Sequence, residues 1–166
     1  LDGKQRMSMA CALGLAFGAT RDFVLQVEHN GKTYRTDEHD RSPESFFDTN
    51  VLPVQTPATE GVVCIGFPTP VGSDAAHVAG ASLPSLVLES QKTIDGMLML
   101  NTAVWEAKAV MVRFRSEHQL TLLHIFVKAP SVFAMVLGHR LNGVGTVQLY
   151  DWVDGKYVPT LRHTPT

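Results

Sequence analysis

The chain has 166 residues, 45% of them apolar and only 18% charged, with 14 Lys plus Arg against 16 Asp plus Glu and a formal net charge of −2. That length suits one domain or two small fused halves, and it buries about 70% of the unfolded surface without disulfide or metal staples. The balance of charge, with a pI near 6.4, excludes histone-like proteins, basic nucleic-acid arms and polybasic membrane binders, while a mean hydropathy of +0.04 implies apolar surface covered by a partner or another copy.

Lys4-Gln5-Arg6 followed by the apolar Met7 to Phe17 copies a signal peptide in outline. The run of about eleven residues is short of the roughly 20 that span a bilayer. We read it as a buried helix with Asp2 as N-cap and Gly18 just past its end. The sequence starts Leu1-Asp2-Gly3 without an initiator Met, which we take as a fragment or a processed product. Cys11 in this run and Cys64 further on are the only cysteines. Each sits among apolar residues, so buried free thiols and a reducing cytoplasm are expected.

Phe23 to Glu28 alternates as a strand does. Asn30-Gly31 then suits both central positions of a type I′ turn, and Thr33 to Thr36 should return as the partner strand. From Asp37 to Thr59, Asp, Ser, Thr and the prolines Pro43, Pro53 and Pro57 break any periodicity. This stretch reads as a long surface connection, with Val51-Leu52 its one candidate strand. Gly61 to Phe67 is a continuous apolar run, expected of a strand covered on both faces. Pro68-Thr69-Pro70 stops it, Ser73-Asp74 can cap a short helix from Ala75 to Gly80, and Leu86 to Leu88 suggests another strand.

Met97 to Arg115 is the longest helical segment. At 100° per residue, Met99, Leu100, Ala103, Val104, Ala107, Val110, Met111 and Phe114 share one broad apolar face, and Leu98, Trp105, Ala109 and Val112 form a second, narrower stripe. Two stripes imply a sheet beneath and a neighbour above. Leu120 to Val127 is a buried strand, Pro130 to Leu141 an apolar helix stopped by Asn142-Gly143. Thr146 to Trp152 is a further strand, turned by Asp154-Gly155 into Lys156-Tyr157-Val158. Alternating strands and helices predict an α/β fold: a Rossmann-like parallel sheet flanked by helices, with an N-terminal β-hairpin half. Residues 1–59 would be an incomplete first half and residues 60–166 the second.

One junction carries chemistry. A buried strand ends at Lys128, and Pro130 suits the first helical position, so the amides of Ser131 and Val132 should face out of the helix end. Parallel sheets bind ligands beyond the carboxyl ends of their strands, and a helix N-terminus favours phosphate. Lys128 and the Ser131 hydroxyl would add a charge and a donor, although an ordinary strand-to-helix turn has the same form. After the first buried strand, Phe67-Pro68-Thr69 would offer an aromatic face and a hydroxyl to the same crevice.

Enzymatic patterns are weaker. Gly-x-Gly-x-x-Gly, a Walker lysine loop and Cys-x-x-Cys do not occur. Ala129 and Phe133 stand where a serine-hydrolase elbow around Ser131 would need glycines. His29, Asp37, His39 and Asp40 invite a metal reading, but they fall at opposite ends of the hairpin, and a solvated acidic loop is expected instead. His124 reads as a satisfied interior histidine, and His139 as a cation on the last turn of a helix. No metal or cofactor is expected.

These segments resemble a known family. Leu123-His-Ile-Phe-Val-Lys-Ala-Pro-Ser-Val-Phe-Ala-Met-Val-Leu-Gly-His-Arg-Leu-Asn142, followed by Val147-Gln-Leu-Tyr-Asp151 and Tyr157-Val-Pro159, resembles the C-terminal half of SAVED domains. Phe23 to Asp37 looks like the start of the same domain, so the resemblance covers about residues 20–160. It implies two fused Rossmann-like halves related to the CARF sensors of CRISPR systems. It also implies binding of a cyclic di- or trinucleotide in bacterial antiphage (CBASS) signalling. The site would be Phe67, Pro68 and Thr69 with Lys128, Ala129, Pro130 and Ser131. A fused effector outside this chain, an HNH-type nuclease above all, would supply the activity, and homo-oligomers without membrane contact would form. The expected function is thus a non-catalytic sensor module. The alternatives are a phosphoesterase that cleaves the cyclic ligand, for which no nucleophile and acid pair is evident, and a purely structural oligomerisation domain.

Overall fold

The apolar runs assemble into one six-stranded sheet in a computed structural model that describes residues 6–54, 57–72, 75, 78 and 82–165. The strands are β3 (Asp48–Leu52), β4 (Glu60–Gly66), β5 (Ser85–Glu89), β6 (Leu122–Lys128), β7 (Thr146–Val153) and β8 (Lys156–His163), in the order β3-β5-β4-β6-β7-β8. The inner four are parallel, as expected, and both edges are antiparallel. The β8 edge follows from its turn: Asp154 and Gly155 both take positive φ, 49° and 80°, the geometry that folds a strand straight back on its neighbour. β8 therefore runs well past the Val158 expected as its end.

Alternation along the buried strands sorts their side chains to two faces. Val63, Ile65, Leu86, Leu88, Leu123, Ile125, Val147 and Leu149 join the main core. Three helices pack there: α1 (Met7–Ala16), α2 (Met97–Glu117) and α3 (Ser131–His139). The opposite face carries Val62, Cys64, Phe126, Tyr150 and Tyr157 under Val71, Ala75 and Leu83. Both thiols are free and buried, and burial pushes Cys11 and Cys64 up to about 12. The helix expected from Ala75 to Gly80, its Ser73-Asp74 cap and the Asp2 cap lie outside the described residues, apart from Ala75 and Val78.

α1 and α3 touch backbone to backbone. A Cβ added at Gly14 would lie 2.0 Å from the Met135 carbonyl oxygen, and one at Gly138 would lie 2.1 Å from that of Cys11. Only paired glycines allow that approach, and Ala10 and Cys11 fill the core beside it. Described strands and helices from both sides of residue 59 share this core.

The hairpin forms as read: Asn30 and Gly31 take φ of 50° and 71° between β1 (Gln26–His29) and β2 (Lys32–Arg35). It is a separate two-stranded sheet, with Val27 and Tyr34 opposite one another and buried. Phe23 and Val24 precede the strand and are exposed, correcting the expected start at Phe23.

The stretch 37–59 is more than a surface connection. Phe46 and Phe47 are buried, and the Glu106 carboxylate of α2 accepts their amide hydrogens at 2.9 and 3.0 Å. Beyond them β3 pairs antiparallel with β5. The broad face of α2 is buried, whereas Leu98, Trp105 and Val112 of the second stripe are exposed. His139 is 3% exposed, and its Nδ1 donates to the Phe17 carbonyl at 2.5 Å. Desolvation pushes its pKa below the usual value, which disfavours the cation expected on the last turn of the helix and suits an interior donor. Among the described residues, no helix is long and apolar enough to cross a membrane.

Candidate ligand-binding site

β4 and β6 end side by side. Gly66 pairs with Lys128, and the Phe67 amide donates to the Lys128 carbonyl at 3.0 Å. The two junctions singled out in the sequence are therefore adjacent. Lys128 is exposed, Ala129 and Pro130 are half-buried, and α3 starts at Ser131. Pro130 has φ −59° and ψ 142°, extended backbone, which makes it the residue before the helix and not its first turn. Its carbonyl accepts the Phe133 amide at 3.0 Å. The two preceding amides, of Ser131 and Val132, have no intrahelical acceptor.

Beyond these strand ends lies a cavity of about 460 Å³ lined by Arg6, Met7, Val71, Val127, Lys128, Ala129, Asp151, Trp152 and Tyr157. Lys128 and Ala129 fall in its wall. Pro130 and Ser131 continue the same chain into α3, while Pro68 and Thr69 are exposed outside the lining. Phe67 departs from expectation. Its ring is 1% exposed and packs edge-on against Phe46, Phe47 and Phe133, so it shapes the turn from beneath and offers no face to the crevice.

The remaining wall arrives through topology. β7 lies next to β6, so Asp151 and Trp152 reach the same sheet end as Lys128. Asp151 is 5% exposed and accepts the Ser8 amide at 2.9 Å and the Ser8 hydroxyl at 2.5 Å. A carboxylate thus caps the first turn of α1 from the far end of the sequence, where helix-end charge complementarity favours it, and holds Arg6 and Met7 at the cavity. Arg6 and Lys128 form no ion pair among the described residues. The cavity therefore joins two cations that have no ion-pair partner among the described residues to a carboxylate already committed to a helix end.

Aromatic rings continue the wall. Trp152 is 52% exposed and stands edge-on to Tyr157 at 4.9 Å. Tyr157 meets Phe126 at 4.9 Å, and Phe126 stacks on Tyr150 at 4.2 Å. The Tyr150 hydroxyl meets His124 Nδ1 at 2.8 Å, and His124 Nε2 meets Glu60 at 2.8 Å. His124 is thus the satisfied interior histidine expected. Desolvation, aided by the Glu60 charge, pushes the Tyr150 phenol up. An electropositive mouth with an exposed indole suits a ligand that carries both phosphates and bases.

The metal candidates are dispersed. His29 packs against Tyr34, Asp37 pairs with Arg35 at 2.7 Å, and His39 and Asp40 line a different cleft. Among the described residues, no group of three or more His, Cys, Asp or Glu side chains is placed to hold a metal ion.

A family model described as "SAVED: SMODS-associated and fused to various effectors sensor domain" matches residues 2–162. Two curated relatives, each named CD-NTase-associated protein 4, come from Acinetobacter sp. (strain ATCC 27244 / 9458) and Moraxella osloensis. They are 56% and 55% identical over 163 residues, which is 96% of this chain and 35% of each relative. The chain therefore spans about a third of their length. The Acinetobacter baumannii Cap4 SAVED/CARF-domain containing receptor, solved with the cyclic trinucleotide 3′3′3′-cAAA and with 2′3′3′-cAAA, superposes at a TM-score of 0.92 with 55% identity. It matches over 97% of this chain and 37% of that one. The Moraxella osloensis receptor superposes at 0.84 with 53% identity, over 97% of this chain and 35% of that one.

Proposed function

The chain belongs to the SAVED family of sensor domains, and from that premise we propose that it senses a cyclic oligonucleotide, a cyclic trinucleotide in particular, in CBASS antiphage defence. One observation carries the reading: the cavity beyond β6 and β7 combines Lys128 and Arg6 with the half-exposed indole of Trp152. It belongs to a chain similar to receptors solved with cAAA rings. The ligand's phosphates would meet Lys128, Arg6 and the amides at the start of α3 that lack an intrahelical acceptor, with Ala129, Pro130 and Ser131 shaping that corner. Its bases would stack on Trp152, and Pro68 and Thr69 would close the far side above the buried Phe67.

In this reading the module recognises its ligand and leaves it intact. The activity resides in a fused effector outside residues 1–166, for which an HNH-type nuclease is our proposal. The exposed residues Leu98, Ala109 and Val112 of the second stripe on α2 would serve association between copies, and the free thiols fit a cytoplasmic setting.

The test is calorimetric titration with 3′3′3′-cAAA and 2′3′3′-cAAA, followed by chromatography of the recovered ligand. Binding of at least one ring, returned intact, is expected. Lys128→Glu should weaken it by about tenfold or more, since a charge-assisted contact is lost and a repulsion added, with the thermal midpoint unchanged. Cleaved ligand would favour the phosphoesterase reading. No binding of either ring would reject the proposal.

A further inference from the structure

A second concentration of charge lies on the outer face of the helices and shares no residue with the strand-end cavity. Between α2, the end of α3 and the segment before Ser42, a cleft of about 370 Å³ is lined by His39, Arg41, Trp105, Lys108, Arg140 and Asn142, among others. Three cationic side chains, Arg41, Lys108 and Arg140, converge there. Arg140 donates to the Asn101 side-chain oxygen at 2.9 Å and to the carbonyls of Thr36 and Glu38 at 3.2 Å, and Lys108 donates to the Asn142 side-chain oxygen at 2.9 Å. Every one of these acceptors is neutral.

None of the ion pairs among the described residues includes Arg41, Lys108 or Arg140. Of the neighbouring carboxylates, Asp37 pairs with Arg35 and Glu106 accepts the amides of Phe46 and Phe47, while Glu38 and Asp40 form no ion pair with these cations among the described residues. Burial, reinforced by Arg140, lowers the Lys108 pKa, and burial with Arg41 lowers that of Arg140. Half-buried like charges without a counterion raise one another's energy, and an anion placed among them relieves it. Arg41 lies 4.3 Å above the Trp105 ring, whose residue is still 53% exposed.

We propose that this cleft binds a nucleoside monophosphate, its phosphate among Arg41, Lys108 and Arg140 and its base against Trp105. The volume suits one nucleotide. Arg140 arrives pre-oriented by its backbone acceptors, so little ordering is lost on binding. The site is independent of the strand-end cavity, and the proposal stands whether or not that cavity takes a cyclic oligonucleotide.

Calorimetric titration of the chain with 5′-AMP, and separately with inorganic phosphate, tests it at low salt. AMP should bind at one site, at least about tenfold tighter than phosphate, given the stacking contribution of an aromatic side chain. Lys108→Glu, at a half-buried position, and Arg41→Glu, at an exposed one, should each weaken AMP by about tenfold or more. Trp105→Ala should reduce AMP to the affinity of phosphate, and Lys128→Glu should leave AMP binding unchanged. Absence of AMP binding, equal affinity for phosphate and AMP, indifference to Lys108→Glu, or loss in Lys128→Glu would each overturn the assignment.

Discussion

Replacing Asp151 by Ala removes the cap that joins the two ends of the chain. The carboxylate is buried and accepts two hydrogens from Ser8, at 2.9 and 2.5 Å. Losing an N-cap costs about 0.5–2 kcal/mol, and a hydrogen bond to a charged group contributes about 1.5–3 kcal/mol. The two overlap here, so a loss of about 2–3 kcal/mol is expected, or roughly 5–10 °C in thermal midpoint for a chain of this size. Asp151→Asn keeps one acceptor for the Ser8 amide and should lose about half as much. Because Arg6 and Met7 follow the start of α1 into the cavity wall, the Ala variant should also bind cAAA more weakly. Hydrogen exchange should show the gain in opening confined to α1 amides before global unfolding sets in. An Asp151→Ala midpoint within 1 °C of the parent, or unchanged protection across α1, would refute the capping argument.

Three further outcomes are expected. Gly138→Ala should cost several kcal/mol, because its Cβ would sit 2.1 Å from a backbone oxygen that cannot yield without separating α1 from α3; denaturant titration measures it. Glu106→Ala leaves the amides of Phe46 and Phe47 without their acceptor, a loss of about 1.5–3 kcal/mol, and protease cleavage between Ser42 and Asp48 should accelerate. His139 has a folded pKa below its unfolded value, so the unfolded chain takes up protons first as pH falls. Its contribution is complete above about pH 6.5 and is lost as pH drops through the folded pKa. Thermal midpoints measured from pH 8 to pH 5 should show that decline, and His139→Asn should flatten it.

What the sequence revealed follows from how local each cause is. Asn30-Gly31 dictates its own turn, the apolar runs of β4 and β6 need no distant partner to be recognised, and the 100° period of α2 separates its buried face from its exposed stripe without reference to anything else. β3 left only a partial trace, the pair Val51-Leu52: Asp48 to Leu52 exposes every residue, so no alternation marks its full length, and its strand exists because β5 offers an edge. The cavity divides in the same way. Lys128 and Ala129 lie at a strand-to-helix switch written in consecutive residues. Arg6, Trp152 and Tyr157 reach the same place only through strand order and helix packing, although knowing that β7 adjoins β6 would have pointed to Asp151 and Trp152. Phe67 misled because nothing beside it in sequence announces the ring cluster with Phe46, Phe47 and Phe133.

The two tryptophans of the chain are divided between the two recesses, Trp152 in the wall of one and Trp105 in the other. Each recess therefore carries its own intrinsic fluorophore. With Trp105→Phe, emission reports on the strand ends alone, and with Trp152→Phe it reports on the helix face alone, so occupancy at either can be followed in solution without an attached dye.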